Sequence, residues 1–432
     1  METIITKLFN KISKVSILLT ISFILCSEAI ASNNLKHYSD SVSFITLTGK
    51  IIDKETGKPI TFANIVLTGT SIGTVSNADG EFLLKIPKEK HNEQITITHI
   101  GYKGNTSDAI KMKNIDNLIV LEPELIPLKE VIIRNEDPIA LLKGAIKNIP
   151  HNYRTTPAML TGFYREAIKQ NRKYVSVAEA VLDVYKSAYN NDFTNDKVKI
   201  IIGRKDQDVK KMDTLLVKLQ GGPVTPFYLD VIKNPGDILS DDMFQNYDYT
   251  LTGQVSLDNK RCYVVEFNQK KNVNLPLYKG KIYVDIDNLA IVGLEFSMSE
   301  YGLPLAGNLF VKKKPLTLKF ETLGVDYYIR YTEFNGTWCL NYVRSELKFK
   351  CKWKRKLFSS TYSTMLEMAV TDIDTTNINK FKSKETSKIT DVFSDEAGAF
   401  KNDEYWGDYN IIKPDESIQV AIEKLSKKLK KK

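Results

Sequence analysis

Between Thr46 and Glu122 apolar and polar residues alternate in short runs, TLTGKIID, FANIVL, EFLLKIP, QITITHIGY and NLIVLEP, with turn-forming residues between them. A period of two sends successive side chains to opposite faces, so the pattern predicts short strands with one buried face. Glu55-Thr56-Gly57-Lys58-Pro59 and Asn77-Ala78-Asp79-Gly80 make the turns, since glycine reaches positive φ and Asn or Asp bonds the local backbone. Strands this short and this closely spaced predict a small antiparallel β-sandwich over residues 46–122.

Farther along, the pattern changes. Leu128 to Arg134 (LKEVIIR) reads as one more strand or an exit segment. Asp137-Pro138 then opens IALLKGAIKNI, closed by Pro150. An aspartate N-cap, proline at the first helical position and Ile139, Leu142, Ile146 and Ile149 on one face predict an amphipathic helix. It begins a second domain, with the boundary near Asn135.

Long alternating segments follow, from LTGFYREAIKQ to FSSTYSTMLEMAVTDI, with hairpin turns at Asn171-Arg172-Lys173, Leu257-Asp258-Asn259, Asp287-Asn288 and Asn335-Gly336. They predict a large, curved, antiparallel sheet. Residues 218–244 hold Gly221, Gly222, Pro223, Pro226, Pro235 and Gly236, which exclude a long element and predict short helices against the sheet, as a connection or a lid. The expected fold class is mainly β: a sandwich followed by an α+β domain, residues 135–432, with a curved antiparallel sheet.

The two ends depart from this pattern. Lys7, Lys11 and Lys14 precede the apolar run Val15 to Leu25, and Ala29-Ile30-Ala31 follows, which reads as a signal peptide over residues 1–31. Cys26 raises the alternative of a lipid-anchored export, against which stands the bulky Leu25 before it. No later apolar run approaches the length of a membrane-spanning helix. At the other end, Pro414, Asp415 and Ser417 open a segment with Ile418, Ala421, Ile422, Leu425 and Leu429 on one helical face. Lys424, Lys427, Lys428, Lys430, Lys431 and Lys432 crowd its last turns. Two readings stand for it, a docked terminal helix or a contact with anionic lipid headgroups.

The chain has 432 residues, 42% hydrophobic and 26% charged, which are the proportions of a folded protein and set disorder aside. Its net charge of +9 becomes +8 when three lysines and two glutamates leave with the leader. Export makes nucleic acid a poor partner for that charge. Cys262, Cys339 and Cys351 remain in the mature chain, too few and too odd for a disulfide framework. Cys339 and Cys351 are expected on neighbouring strands, where they could pair.

Gly69-Thr70-Ser71-Ile72-Gly73 fits the G-x-S-x-G of a hydrolase nucleophile elbow, but an elbow needs a helix directly after the serine. Here TVSNADGEFLLKIP follows, a strand, a turn and another strand. A triad also needs a histidine, and the chain offers His37, His91, His99 and His151, of which His99 lies in an alternating run as a half-buried or edge residue. No H-E-x-x-H begins a zinc site.

The run GKIIDKETGKPITFANIVLTGTSIGTVSNADGEFLLKIP, with the strand ending His99-Ile100-Gly101-Tyr102, resembles the carboxypeptidase regulatory-like domain, a transthyretin-like β-sandwich that also precedes the plug of many TonB-dependent outer-membrane transporters. The T-G-K-P turn, the A-N-I-V strand, the G-T-S-I-G-T loop and the D-G-E-F turn carry the likeness. It implies that GTSIGT is a loop whose polar residues face water, that Ser71 has no chemistry, and that the domain is not itself a peptidase.

Tyr263 to Phe267 with Tyr278 to Asp285 and the Asn288 turn also resembles, over about forty residues, lipoprotein-localisation-factor-like half-barrels. That likeness implies a concave face that takes lipid. Asp285-Ile286-Asp287-Asn288 is read as a strand and turn, lacking the glycine and distant glutamate of a calcium loop. A transmembrane barrel is disfavoured by FKCKWKRK, which puts charges in mid-strand.

These readings lead to a non-catalytic exported protein of the envelope, periplasmic and associated with the outer membrane, with a binding or scaffold role. Its expected partners are an outer-membrane or periplasmic protein, or a lipid or other apolar ligand on the sheet's concave face. No catalytic residue, cofactor site or metal site is assigned. Two alternatives stand beside it: an accessory component of an outer-membrane transport complex, or a hydrolase of envelope polymers drawing acids from Glu166, Glu179 and Asp183, the last two sharing a strand face.

Overall fold

The computed structural model describes residues 43–112, 115–124, 137–190, 195–207, 222–257, 260–309, 318–354, 358–391, 393, 398–399 and 403–429. The leader, Cys26, the LKEVIIR segment and the boundary near Asn135 lie outside the described residues.

In the first domain β1 (Phe44–Asp53) is the spine, antiparallel to β4 (Glu81–Pro87) and parallel to β7 (Asn117–Leu121). β2 (Asn64–Leu67) lies between β3 (Gly73–Val75) and β5 (Gln94–Thr98), and β6 (Asn105–Asp108) completes the second sheet. Leu47, Ile51, Phe82 and Leu84 of one sheet meet Ile65, Leu67, Ile95 and Ile97 of the other in a fully buried core. The sandwich is therefore mixed where a purely antiparallel one is expected. After β6 the chain crosses back to the first sheet, and β7 arrives beside β1 in the same direction. Gly80 (φ +74°) makes the tight turn before β4, where a Cβ would lie 2.6 Å from the Ile51 carbonyl.

The second domain is one sheet. β8 (Ala158–Gln170), β9 (Lys173–Lys186) and β10 (Lys197–Gln207) precede the helical insert, and β11 (Tyr247–Leu257), β12 (Lys260–Gln269), β13 (Tyr278–Asp285) and β14 (Ile291–Met298) follow it. β15 (Leu318–Phe334), β16 (Thr337–Trp353) and β17 (Ser360–Asp374) come next, then the two-residue β18 (Gly398–Ala399). The order is β11-β12-β13-β14-β15-β16-β17-β8-β9-β10-β18, antiparallel throughout except for β10 with β18. Asn335 (φ 50°) and Gly336 (φ 75°) both take positive φ, the two-residue turn that matches strand twist and closes the long β15–β16 hairpin. Asp285 Oδ1 accepts from the Asp287 amide (2.8 Å), so that stretch is a strand end and a turn.

The apolar face of this sheet is covered by helices. In α1 (Pro138–Lys147) the Asp137 carboxylate accepts from the Ile139 amide (2.9 Å), the N-cap the sequence predicts, and Leu141, Leu142 and Ala145 are buried. Pro150 does not end the helical region. It sits in the first turn of α2 (Ile149–Asn152), where a missing amide costs nothing. The insert carries α3 (Thr225–Tyr228) and α4 (Gly236–Leu239), with short 3-10 turns on either side. Phe227, Val231, Ile232, Ile238, Leu239 and Phe244 join the main core with Val265, Ile282 and Leu294 of the sheet. Each such fully buried side chain contributes about 1.5–3 kcal/mol. Lys186 Nζ, buried on β9, donates to Asp230 Oδ2 and Asp196 Oδ2 (2.7 Å each), and the Tyr331 hydroxyl donates to Asp230 Oδ1 (2.8 Å). The insert is thus pinned by a buried ion pair.

The opposite face carries the sandwich, residues 403–413 and α5 (Glu416–Leu429). Ile418 and Ala421 of α5 pack on Ala167 of β8 and Val177 of β9, so the terminal helix is docked on the sheet. Asp415 Oδ1 accepts from the Ile418 amide (2.8 Å) as its cap.

Candidate functional site

Directly opposed residues of successive strands form a single row across this second face. From β10 to β11 it runs Arg204, Glu179, Arg165, Glu367, Arg344, Tyr328, Glu295, Lys281, Glu266 and Thr250. Sign alternates from Arg204 to Arg344 and again from Glu295 to Glu266. Opposite charges on directly facing positions attract, so the row also holds the register.

Half of the row is buried. Arg165, 1% exposed, donates from Nε to Glu179 Oε1 (2.6 Å), from Nη1 to Glu367 Oε1 (2.9 Å) and from Nη2 to the Ile412 carbonyl (2.7 Å). Arg204 donates to Glu179 Oε2 (2.9 Å), and Glu367 Oε2 accepts from Arg344 (2.9 Å) and from the Tyr342 hydroxyl (3.0 Å). Burial opposes the charge on Arg165, but Glu179 and Glu367 outweigh it and hold the guanidinium above its usual pKa. Trp406 covers this half, its ring 4.6 Å from the Arg204 guanidinium and edge-on to Phe163.

The other half is open. A cavity of about 790 Å3 lies over β11 to β16, walled on one side by Phe62 of the sandwich. In the adjoining row stand Glu346, Asp326, Ser297, Lys279, Asn268 and Asp248. Lys281 and Glu266 pair loosely at 3.5 Å, each about half exposed. Asp326 and Glu346 face each other with the same sign, and burial, then Glu346, push the Asp326 carboxyl above its ordinary pKa.

The sandwich is fixed to this face by several contacts. Phe62 stacks on Tyr342 with centroids 5.4 Å apart, and the Arg344 guanidinium lies 4.9 Å over its ring. It does so with φ 60°, a strained value for an aromatic residue. Thr74 donates to the Ile411 carbonyl (2.8 Å), and the Gly101 amide to the Ser256 carbonyl (2.7 Å). His99, half-buried at the junction, has its pKa pulled down to about 4 by burial and then by Arg330.

Ser71 belongs to this junction as well. Its hydroxyl donates to Asp372 Oδ1 (2.5 Å) and approaches the Ile373 carbonyl (3.1 Å), so the loop expected to face water is bound to the end of β17. The structure does not gather the three acids of the hydrolase alternative. Glu179 is held by two arginines, Asp183 points to the same face two repeats of the pleat farther on, and Glu166 lies on the apolar face accepting from the Tyr164 hydroxyl (2.9 Å). Cys339 and Cys351 lie on the same strand, β16, twelve residues apart, so they are separated by roughly 40 Å of extended chain and cannot pair. Cys262, Cys339 and Cys351 are free and buried, and burial pushes Cys262 and Cys339 up to about 12. Among the described residues no three of His, Cys, Asp and Glu stand together as metal ligands, and no helix is long and apolar enough to cross a membrane.

Fold and geometry together define a β-sandwich seated on a large antiparallel sheet, with an open trough of charged side chains beside the seat. Residues 47–133, the sandwich and the stretch that follows it, match the family described as CarboxypepD_reg-like domain. No curated protein matches the chain. Among solved structures the chain is similar to a DUF1329 family protein from Desulfovibrio piger, at 13% identity over 58% of this chain and 100% of that one, with a TM-score of 0.25. It is similar also to a domain assigned to outer membrane lipoprotein sorting from Vibrio parahaemolyticus, at 10% identity over 56% of this chain and 96% of that one, with a TM-score of 0.25. A membrane-associated protein of unknown function from Bacteroides fragilis aligns at 9% identity over 76% of this chain and 98% of that one, with a TM-score of 0.15.

Proposed function

We propose that this is a non-catalytic, exported envelope protein, cut after Ala31, whose sandwich and sheet act as one body and whose binding face is the charged trough. The observation that carries the reading is the division of labour between the two faces of the sheet. The apolar face, where a lipid would be expected, is filled by Phe227, Val231, Ile238 and Phe244 of the insert and by α1, with Lys186 and Asp230 pinning the cover. The trough is the concavity left open, and its floor recognises charge and hydrogen bonds. The sandwich serves as the trough's wall through Phe62.

Native mass spectrometry of the protein purified from the envelope fraction tests this. The expected result is a mass without lipid, beginning at Ser32, with any adduct shed as salt is raised. A lipid retained in stoichiometric amount would return the apolar face to the centre of the function.

A further inference from the structure

We infer that the open half of the row is the docking surface for an extended, lysine- or arginine-bearing segment of a partner protein. This rests on the reading of the trough as the binding face. The buried half of the same row shows how such a floor is covered, because the chain does it with its own residues 403–413. That segment gives the Ile412 carbonyl to Arg165, the Trp406 ring to Arg204, and the Tyr405 hydroxyl to the Gly203 carbonyl (2.8 Å). It offers acceptors and π faces to arginines, and it need bring no cation, since Glu179 and Glu367 are already satisfied by the floor.

Over the open half the balance is reversed. Arg344 is engaged by Glu367 and Glu346, which leaves Lys281 and Lys279 against Glu295, Glu266, Asp326 and Asp248. The Asp326 carboxylate makes no hydrogen bond or ion pair among the described residues, and it directly faces Glu346, a pairing that costs stability in a bare sheet. A cationic side chain set between the two removes that cost. A metal ion is the weaker occupant, because no three ligands converge among the described residues. The acid excess over this half stands out against a chain whose net charge is +8 without its leader, and it is complementary to a cationic segment.

The test is fluorescence anisotropy of two labelled short peptides, one of alternating lysine and threonine and one of alternating glutamate and threonine, against the protein purified from the envelope fraction. The lysine peptide is expected to bind, with affinity falling as salt rises. The triple change E295Q, D326N and E346Q should weaken it by about tenfold or more, while Lys281→Gln should tighten it. D241N with D242N, on the insert, should change nothing. If the triple variant fails to fold, the Lys281→Gln arm decides, and an unchanged or weakened affinity there overturns the inference. Equal binding of the two peptides, or salt-sensitive self-association with no peptide binding, overturns it also. Binding of the glutamate peptide alone, lost in K279Q with K281Q, rejects the cationic partner but keeps the trough as the binding face. A lipid retained in the mass spectrum rejects the reading beneath both.

Discussion

Arg165 and Lys281 stand in one row, five strands apart in the order of the sheet, each between two glutamates. Arg165 is sealed beneath Ile412, with its planar fork matched to Glu179 and Glu367, whereas Lys281 reaches Glu266 at 3.5 Å in the open. The same alternation of charge thus does two things. Where the chain covers it, each ion must be fully partnered, because desolvation is severe. Where nothing covers it, water screens the pairs and the side chains stay available to a ligand.

The widest separation between the halves should appear in stability. Arg165→Met leaves Glu179 and Glu367 short of a buried partner and should cost about 3–5 kcal/mol in urea unfolding. Lys281→Met, at the matching place in the open half, should fall within about 0.5 kcal/mol of the parent. Equal costs would show that burial is not what divides the row.

Phe62 is the post between the halves, and removing it should come next in size. Phe62→Ala should cost about 2 kcal/mol, less than a fully buried phenylalanine because the ring also borders the trough. Phe62→Gly should cost less than Phe62→Ala, since glycine accepts φ 60° freely. The reverse order in urea midpoints would mean that the positive φ is not a native constraint.

The junction also predicts a pH dependence. His99 is neutral in the folded protein with its pKa drawn down to about 4 by burial and Arg330, while the unfolded chain takes up its proton near 6.5. Between those values the unfolded state binds more protons. Stability is therefore fully present above about 6.5 and is lost progressively as pH falls toward 4. His99→Gln should flatten unfolding midpoints over that window; an unaltered slope would place the titration elsewhere.

How much of this the sequence discloses depends on distance along the chain. The Asp137-Pro138 cap, the Asn335-Gly336 turn and the Gly80 turn are local, and each is where its residues imply. The row is not local. Arg165 meets Glu367 across 202 residues because β17 returns to pair with β8, and alternation within one strand says nothing about which strand lies beside it. A signal was present in the charges placed mid-strand in β8, β9, β10 and β17, which need partners if those strands are buried on both faces. Cys339 and Cys351 show the opposite error: they are expected on neighbouring strands, but the alternation runs unbroken from Thr337 to Trp353 and sets both on one strand of 17 residues, longer than usual.

Ser71 carries the smallest predicted effect and bears most directly on the hydrolase alternative. It matches an elbow motif and its hydroxyl does meet an acid, Asp372, but that acid lies 301 residues away on the sheet, and among the described residues no histidine is bonded to either. A serine donating straight to a carboxylate lacks the base that would take its proton and return it to a leaving group, so the pair can hold two modules together without activating anything. Ser71→Ala should therefore cost about 1 kcal/mol in urea unfolding, the value of hydrogen bonds lost at a partly exposed junction. A fluorophosphonate probe should leave Ser71 unlabelled in the parent. Covalent labelling at Ser71 that disappears in Asp372→Asn would make the contact catalytic and reinstate the hydrolase.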